Sequence, residues 1–193
     1  IPDPLWSRGL GDVYKRQVYN RALMASLILS LGQEKAEMWA KDFVSNLARR
    51  PQGNDRAQVK AVKNGECDLA VINHYYMAKM YKNPEQVPWA ESVNVIFPNQ
   101  KGRGTHMNVS GMALTKHSPN KGDAIKLMKF LASEKGQEMY VQKNSEYPVK
   151  QGVPLSDLQK SWGKFKEDNL SLAVIADNRA LAIKMADEVG YNN

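Results

Sequence analysis

A short apolar run, Asp68 to Ile72, ends in Asn73-His74-Tyr75-Tyr76, and a helical pattern follows to about Tyr81. Two phenols at the end of a strand suit two roles. A tyrosine pair can cap a core with large amphipathic rings, or it can present two oxygen donors to a ligand. A free phenol has a pKa of about 10 and stays protonated near neutral pH. A highly charged cation close by inverts that preference and favours the phenolate. Fe(III) is a hard ion that prefers oxygen donors, and two or three phenolates neutralise much of its charge. An ion of lower charge or greater softness repays the deprotonation less well. Residue type alone leaves both roles open.

Geometry narrows the question. Successive strand residues point to opposite faces, so adjacent tyrosines within a strand cannot share a site. A strand-to-helix corner changes the backbone direction and lets two neighbours converge. The surrounding elements must build that corner. Asn20 is a candidate N-cap for a helix over Arg21 to Leu31, with Leu23, Leu27, Ile28 and Leu31 on one face. Gly32 interrupts it, and a second helix over Gln33 to Ala48 carries Ala36, Trp39, Phe43 and Leu47. Asn54 or Asp55 caps a third helix that stops at Gly65. Asp68 to Ile72 reads as a strand buried on both faces, and further strands are expected at Val93 to Phe97 and Met107 to Thr115. A long helical stretch, Asp123 to Val141, breaks near Ser133, where the serine caps its second half. Pro154 to Lys164 is irregular or short-helical, and Asp177 to Val189 is a final helix. Helices alternating with short apolar strands argue for an α/β fold, in which ligands bind outside the carboxyl ends of strands. Asn73, His74, Tyr75 and Tyr76 stand at such an end.

Composition excludes several other classes. The 193 residues carry 27 Lys+Arg against 20 Asp+Glu, a net charge of +7. The lysines are scattered, without a basic run or interleaved aromatics, which argues against nucleic-acid binding. No apolar run approaches the roughly 18 residues that span a membrane. One cysteine, Cys67, permits no internal disulfide, and the three histidines lack zinc-ligand spacing. No catalytic constellation stands out. Gly102-Arg103-Gly104 lacks the third glycine of a dinucleotide loop, and neither Cys67 nor Ser110 has the setting of a nucleophile. On residue types alone, no enzyme class is indicated.

Residues 1–17, IPDPLWSRGLGDVYKRQ, show neither helical nor strand periodicity. They read as a non-native tail, a translated scar fused to a gene fragment, and are set aside from fold reasoning.

The stretch GNDRAQVKAVKNGECDLAVINHYY resembles the corresponding part of periplasmic ferric-iron-binding proteins, the substrate-binding subunits of Fe(III) ABC transporters. Two further stretches resemble the same family. Val18 to Leu23 is similar to a segment in which another tyrosine precedes a helix. Gly104 to Gly111, with Ser145-Glu146-Tyr147-Pro148-Val149, is similar to the return into the other lobe. The resemblance covers roughly residues 18–193.

It implies a truncated two-lobe, periplasmic-binding-protein-like α/β fold, with the first part of the N-terminal lobe missing. Residues 18–103 and 155–193 would form the C-terminal lobe, and 104–154 part of the N-terminal lobe. It implies Tyr75 and Tyr76 as iron ligands and Tyr19 as an additional one. Asn73 corresponds to a residue that holds a synergistic anion, such as carbonate or phosphate, in some members. Asn54, Asp55 and Arg56 lie at a helix start whose N–H groups suit an anion, and Arg56 suits either a phenolate partner or a surface charge. His74 is expected to turn away, and His106 to be structural. The implied role is capture of Fe(III) in an interlobe cleft of a monomeric periplasmic protein and delivery to an inner-membrane ABC permease. The alternative is a related solute-binding protein for a polyamine, thiamine or an anion.

Overall fold

The computed structural model describes residues 10–11 and 18–191. In chain order, β1 (Leu10–Gly11) is followed by α1 (Val18–Leu31), α2 (Gln33–Ser45) and α3 (Asp55–Lys63). Then come β2 (Leu69–Ala70), α4 (Tyr75–Tyr81), α5 (Val87–Ala90), α6 (Lys121–Leu131) and α7 (Glu134–Asn144). Three short helices close the order: α8 (Asp157–Ser161), α9 (Leu172–Asp177) and α10 (Arg179–Glu188). The chain divides into two compact units, residues 1–108 with 165–193, and residues 109–164.

The first unit is built on α1. Ala25, Leu27 and Ile28 pack with Ala36, Ile175, Ala182 and Met185 into a buried cluster, so α1 is covered by α2, α9 and α10. Gly32, at φ 82°, turns the chain between α1 and α2 in a conformation that a side chain would strain. Trp39 and Phe43, one helical turn apart, stack with ring centroids 5.0 Å apart. Helix α3 starts as its sequence suggests, with the Asn54 side chain accepting from the Ala57 N–H.

Several sequence expectations are corrected. Helix α1 begins at Val18, so Asn20 lies inside it and caps nothing. Its amide instead donates to the Tyr191 hydroxyl at 2.8 Å, a tertiary partner that local pattern does not reveal. The strand expected over residues 68–72 narrows to Leu69–Ala70, and Leu69 is 55% exposed rather than buried on both faces. Its one partner among the described residues is β1, parallel, with Leu10 opposite Leu69 and Gly11 opposite Ala70. That pairing falls within the segment set aside as a tail, and two residues are too few to show a period. Residues 93–97 and 107–115 form no strand. An apolar run becomes a strand only where a neighbour accepts its backbone hydrogen bonds. Helix α9 was not anticipated.

Two chain passages, near 97–108 and 165–168, are held against each other within the first unit. Thr105 and Glu167 form a parallel bridge. The Thr105 N–H donates to the Lys166 carbonyl at 2.8 Å, and the Asp168 N–H to the Thr105 carbonyl at 2.9 Å. Phe97 stacks on Phe165 at 4.1 Å. The Arg103 guanidinium meets the Asp168 carboxylate at 2.8 Å, the two side chains being 17% and 6% exposed. The same nitrogen reaches the Ser26 and Ser30 hydroxyls of α1, each at 3.2 Å. Burial, with Arg103 nearby, holds the His106 imidazole below its ordinary range. Its Nε2 pairs with the Asn108 side-chain oxygen at 3.2 Å.

The second unit contains α6, α7 and α8. Ser133 separates α6 from α7 and caps the latter, its hydroxyl accepting from the Gly136 N–H at 3.3 Å. Ser156 and Gln159 form a reciprocal capping box at α8. Gln159 is fully buried and donates to the Ser145 and Glu146 carbonyls, tying α8 to the end of α7.

Two outcomes follow for the clamped passages. Gly104 sits at φ 99°, and a Cβ there would meet the Glu167 carbonyl oxygen at 2.5 Å. Gly104→Ala therefore costs roughly 2–3 kcal/mol, read as a lower urea midpoint. An unchanged midpoint would show that the passages do not carry stability. His106 binds a proton less readily folded than unfolded, so its contribution is present above the unfolded pKa of about 6.5 and is lost as pH falls through the folded value. The urea midpoint drops between pH 7.5 and 5.5, and drops less in His106→Gln.

Candidate functional site

The corner after β2 is set by a buried carboxylate. Asp55, the first residue of α3, is fully buried. One of its oxygens accepts from the Asn73 backbone N–H at 2.9 Å and from the Asn73 side-chain amide at 3.2 Å. The Asn73 side-chain oxygen in turn accepts from the Asn108 amide at 3.1 Å. With Asn73 held, the chain turns into α4, and the Tyr76 and Met77 N–H groups bond back to the Asn73 and His74 carbonyls. Met77, Ala78 and Met80 are buried and fix the inner face of α4. Tyr75 and Tyr76 occupy its first turn, both half-buried.

Their rings lie 4.6 Å apart at 34°, so the corner does converge two adjacent side chains. A third phenol joins them: the Tyr75 hydroxyl donates to the Tyr19 hydroxyl at 3.4 Å. Tyr19 comes from the first turn of α1 and lies 56 residues away in sequence. Burial pushes the Tyr75 phenol well above its ordinary value, and the hydroxyls of Tyr19 and Tyr76 push it further the same way. Tyr75 therefore carries its proton at neutral pH.

The Lys79 ammonium lies over both rings of the pair, 5.1 Å from the Tyr75 centroid and 5.4 Å from that of Tyr76. Sequence reasoning passed over Lys79. Its signal was helical spacing, since it follows the two tyrosines by four and three residues. The His74 ring stands edge-on to Tyr75, with centroids 5.9 Å apart. Arg56 is half-buried in the first turn of α3, and Asn54 is committed to its cap. His106 belongs to the clamped passage rather than to the phenols, its ring nitrogen bonded to Asn108.

Chemically, the cluster is three phenol oxygens brought together from two helices. Among the described residues, no three His, Cys, Asp or Glu side chains gather as a metal-binding group. A separate cavity of about 110 Å³ lies between α1, α2 and α10, lined largely by apolar side chains including Met24, Trp39 and Phe43. The three tyrosines do not line it.

Comparison with known proteins places the chain in a family. Residues 3–166 match the family described as bacterial extracellular solute-binding protein. That span takes in most of the segment set aside as a tail. The chain is 46% identical over 193 residues to iron uptake protein A1 of Synechocystis sp., covering 99% of this chain and 54% of that protein. It is 25% identical to the major ferric iron-binding protein of Neisseria meningitidis, covering 97% of this chain and 55% of that one. Among solved structures, ferric iron-binding protein A of Mannheimia haemolytica, in an open conformation, superposes with a TM-score of 0.91 at 42% identity. The match covers 98% of this chain and 60% of that one. The Trichodesmium protein in complex with iron and citrate ligands gives 0.91 at 43%, over 96% and 60%. The chain thus spans about half the length of the curated relatives it matches, and over that span it has the fold of these two-lobe proteins. It belongs to the bacterial extracellular solute-binding protein family.

Proposed function

We propose that this chain is part of an extracytoplasmic binding protein that captures Fe(III) through tyrosine phenolates and delivers it to an ABC permease. The observation that carries the reading is the cluster itself, with Tyr75 against Tyr19 at 3.4 Å and its ring 4.6 Å from that of Tyr76. Relatives named for iron uptake and for ferric iron binding support it. Fe(III) is the cargo. It arrives as a chelate, displaces the phenolic protons and is held by Tyr75, Tyr76 and Tyr19 as oxygen donors. The role is binding and transfer, not catalysis. In the same reading the protein is periplasmic and monomeric, and the lobe boundaries, expected at 103/104 and 154/155, shift to those of the two compact units, residues 1–108 with 165–193 and residues 109–164.

Asn73 is the proposed contact for a synergistic anion such as carbonate or phosphate. Its side-chain oxygen and one amide hydrogen are engaged by Asn108 and Asp55. The second amide hydrogen is the part that can meet an anion. A relative solved in complex with iron and citrate ligands supports the reading that an anion accompanies the metal.

Two measurements test the reading, on a full-length protein containing this chain and on the chain alone. Titration with chelated ferric iron gives a visible tyrosinate-to-iron absorbance, and Tyr75→Phe and Tyr76→Phe each abolish or strongly weaken it. A folded full-length protein that stays colourless sinks the ferric reading. Because Tyr75 is protonated below its raised pKa, each phenolate formed there releases a proton. Apparent affinity therefore falls about tenfold or more per pH unit as pH is lowered from 7.5 to 5.5. A pH-independent affinity would remove Tyr75 from the ligand set.

A further inference from the structure

The two helices that supply the phenols share no segment of chain, so the 3.4 Å Tyr19–Tyr75 separation is set only if something fixes both. One passage touches both. Arg103 bonds to Ser26 and Ser30 on α1, the helix that carries Tyr19. Asn108, five residues on, bonds to Asn73, which opens the corner carrying Tyr75 and Tyr76. Between them Thr105 exchanges two backbone hydrogen bonds with the 166–168 passage, and Arg103 is paired with Asp168.

We infer that residues 103–108 are a positioning strap, stapling α1 to the start of α4 and thereby setting the distance between Tyr19 and the Tyr75–Tyr76 pair. The inference rests on the ferric reading above and names residues that touch no ligand. Arg103 and Asn108 act through the phenols they place. The strap is braced from several directions. The Asp168 carboxylate anchors Arg103 and also accepts from the Leu170 N–H at 3.1 Å. His106 holds the Asn108 side-chain oxygen, which leaves the Asn108 amide aimed at Asn73. Gly104 lets the backbone lie against Glu167 where a Cβ would not fit. A strap that served stability alone would not need to end on the residue that opens the tyrosine corner.

A double-mutant cycle separates positioning from general stability. Asn108→Ala removes two exposed side-chain hydrogen bonds, to His106 and to Asn73, and its urea midpoint is measured alongside so that a folding defect is seen directly. Iron affinity and the wavelength of the charge-transfer band are measured for the full-length protein, for Asn108→Ala, for Tyr19→Phe and for the double variant. The wild-type protein must first give the coloured complex, and failure there counts against the ferric reading rather than the strap. With colour present, Asn108→Ala lowers affinity about threefold to tenfold and shifts the band. In the Tyr19→Phe background the same change has less than a twofold effect, because the distance it regulates no longer has a ligand at its far end. Equal losses in both backgrounds, or no loss in either, overturn the strap. Ser30→Ala approaches from the α1 side and must behave in the same way.

Discussion

Arg103 places a full charge in a largely enclosed setting, and much of the first unit depends on how that charge is met. A buried ion pair is not stabilising by attraction alone, because removing both ions from water costs several kcal/mol per ion. It holds only where further hydrogen bonds occupy the remaining donors. Asp168 supplies the countercharge, and two serines spaced four apart on α1 share the hydrogens of the same guanidinium nitrogen with it. Four residues is one helical turn, so both hydroxyls face the same way. The guanidinium thus joins three parts of the chain: α1, the 97–108 passage and the 165–168 passage. The meeting of all three at one guanidinium nitrogen ties their order together.

The tyrosine corner follows a similar logic with a carboxylate in place of a guanidinium. Asp55 is out of water and accepts two N–H groups from one asparagine. Charge-assisted hydrogen bonds of this sort are stronger than neutral ones. The backbone direction at the end of β2 is therefore fixed by α3 and not by a long sheet, of which two residues per strand are present. Two phenols that would diverge on a continuous strand are brought to one side. Their burial keeps Tyr75 in its neutral form until something with enough charge displaces the proton.

Much of this was legible in the residue order, and the exceptions share a cause. Helix starts at Asn54 and Ser133 were visible because a cap is a local event, completed within three residues. The Tyr-Tyr corner was visible because an apolar run and a helical pattern met at it. Asn20 has the chemistry of a cap, but its partner, Tyr191, lies 171 residues away. The apolar runs at 93–97 and 107–115 look like strands and are not, since a strand depends on a neighbour that no local window contains. The bond from Asn108 to Asn73 spans 35 residues and leaves no periodic trace. Tyr19 entered the site only through family resemblance, for the same reason.

The side chain at position 73 has a narrow alphabet. It must give a hydrogen bond to Asp55 and take one from Asn108 at once, and a carboxamide does both. Aspartate in its ionised form has nothing to give, and would set a second negative charge against Asp55. Serine is too short to serve both neighbours, leucine serves neither, and glutamine carries its amide one methylene too far. An adjacent pair of tyrosines is common in proteins and says little by itself. Here the pair is joined to an asparagine two places before it and, through that asparagine, to an acid eighteen places earlier. Those two residues give the chain the means to fold a corner that presents two phenols together, which a bare tyrosine pair lacks.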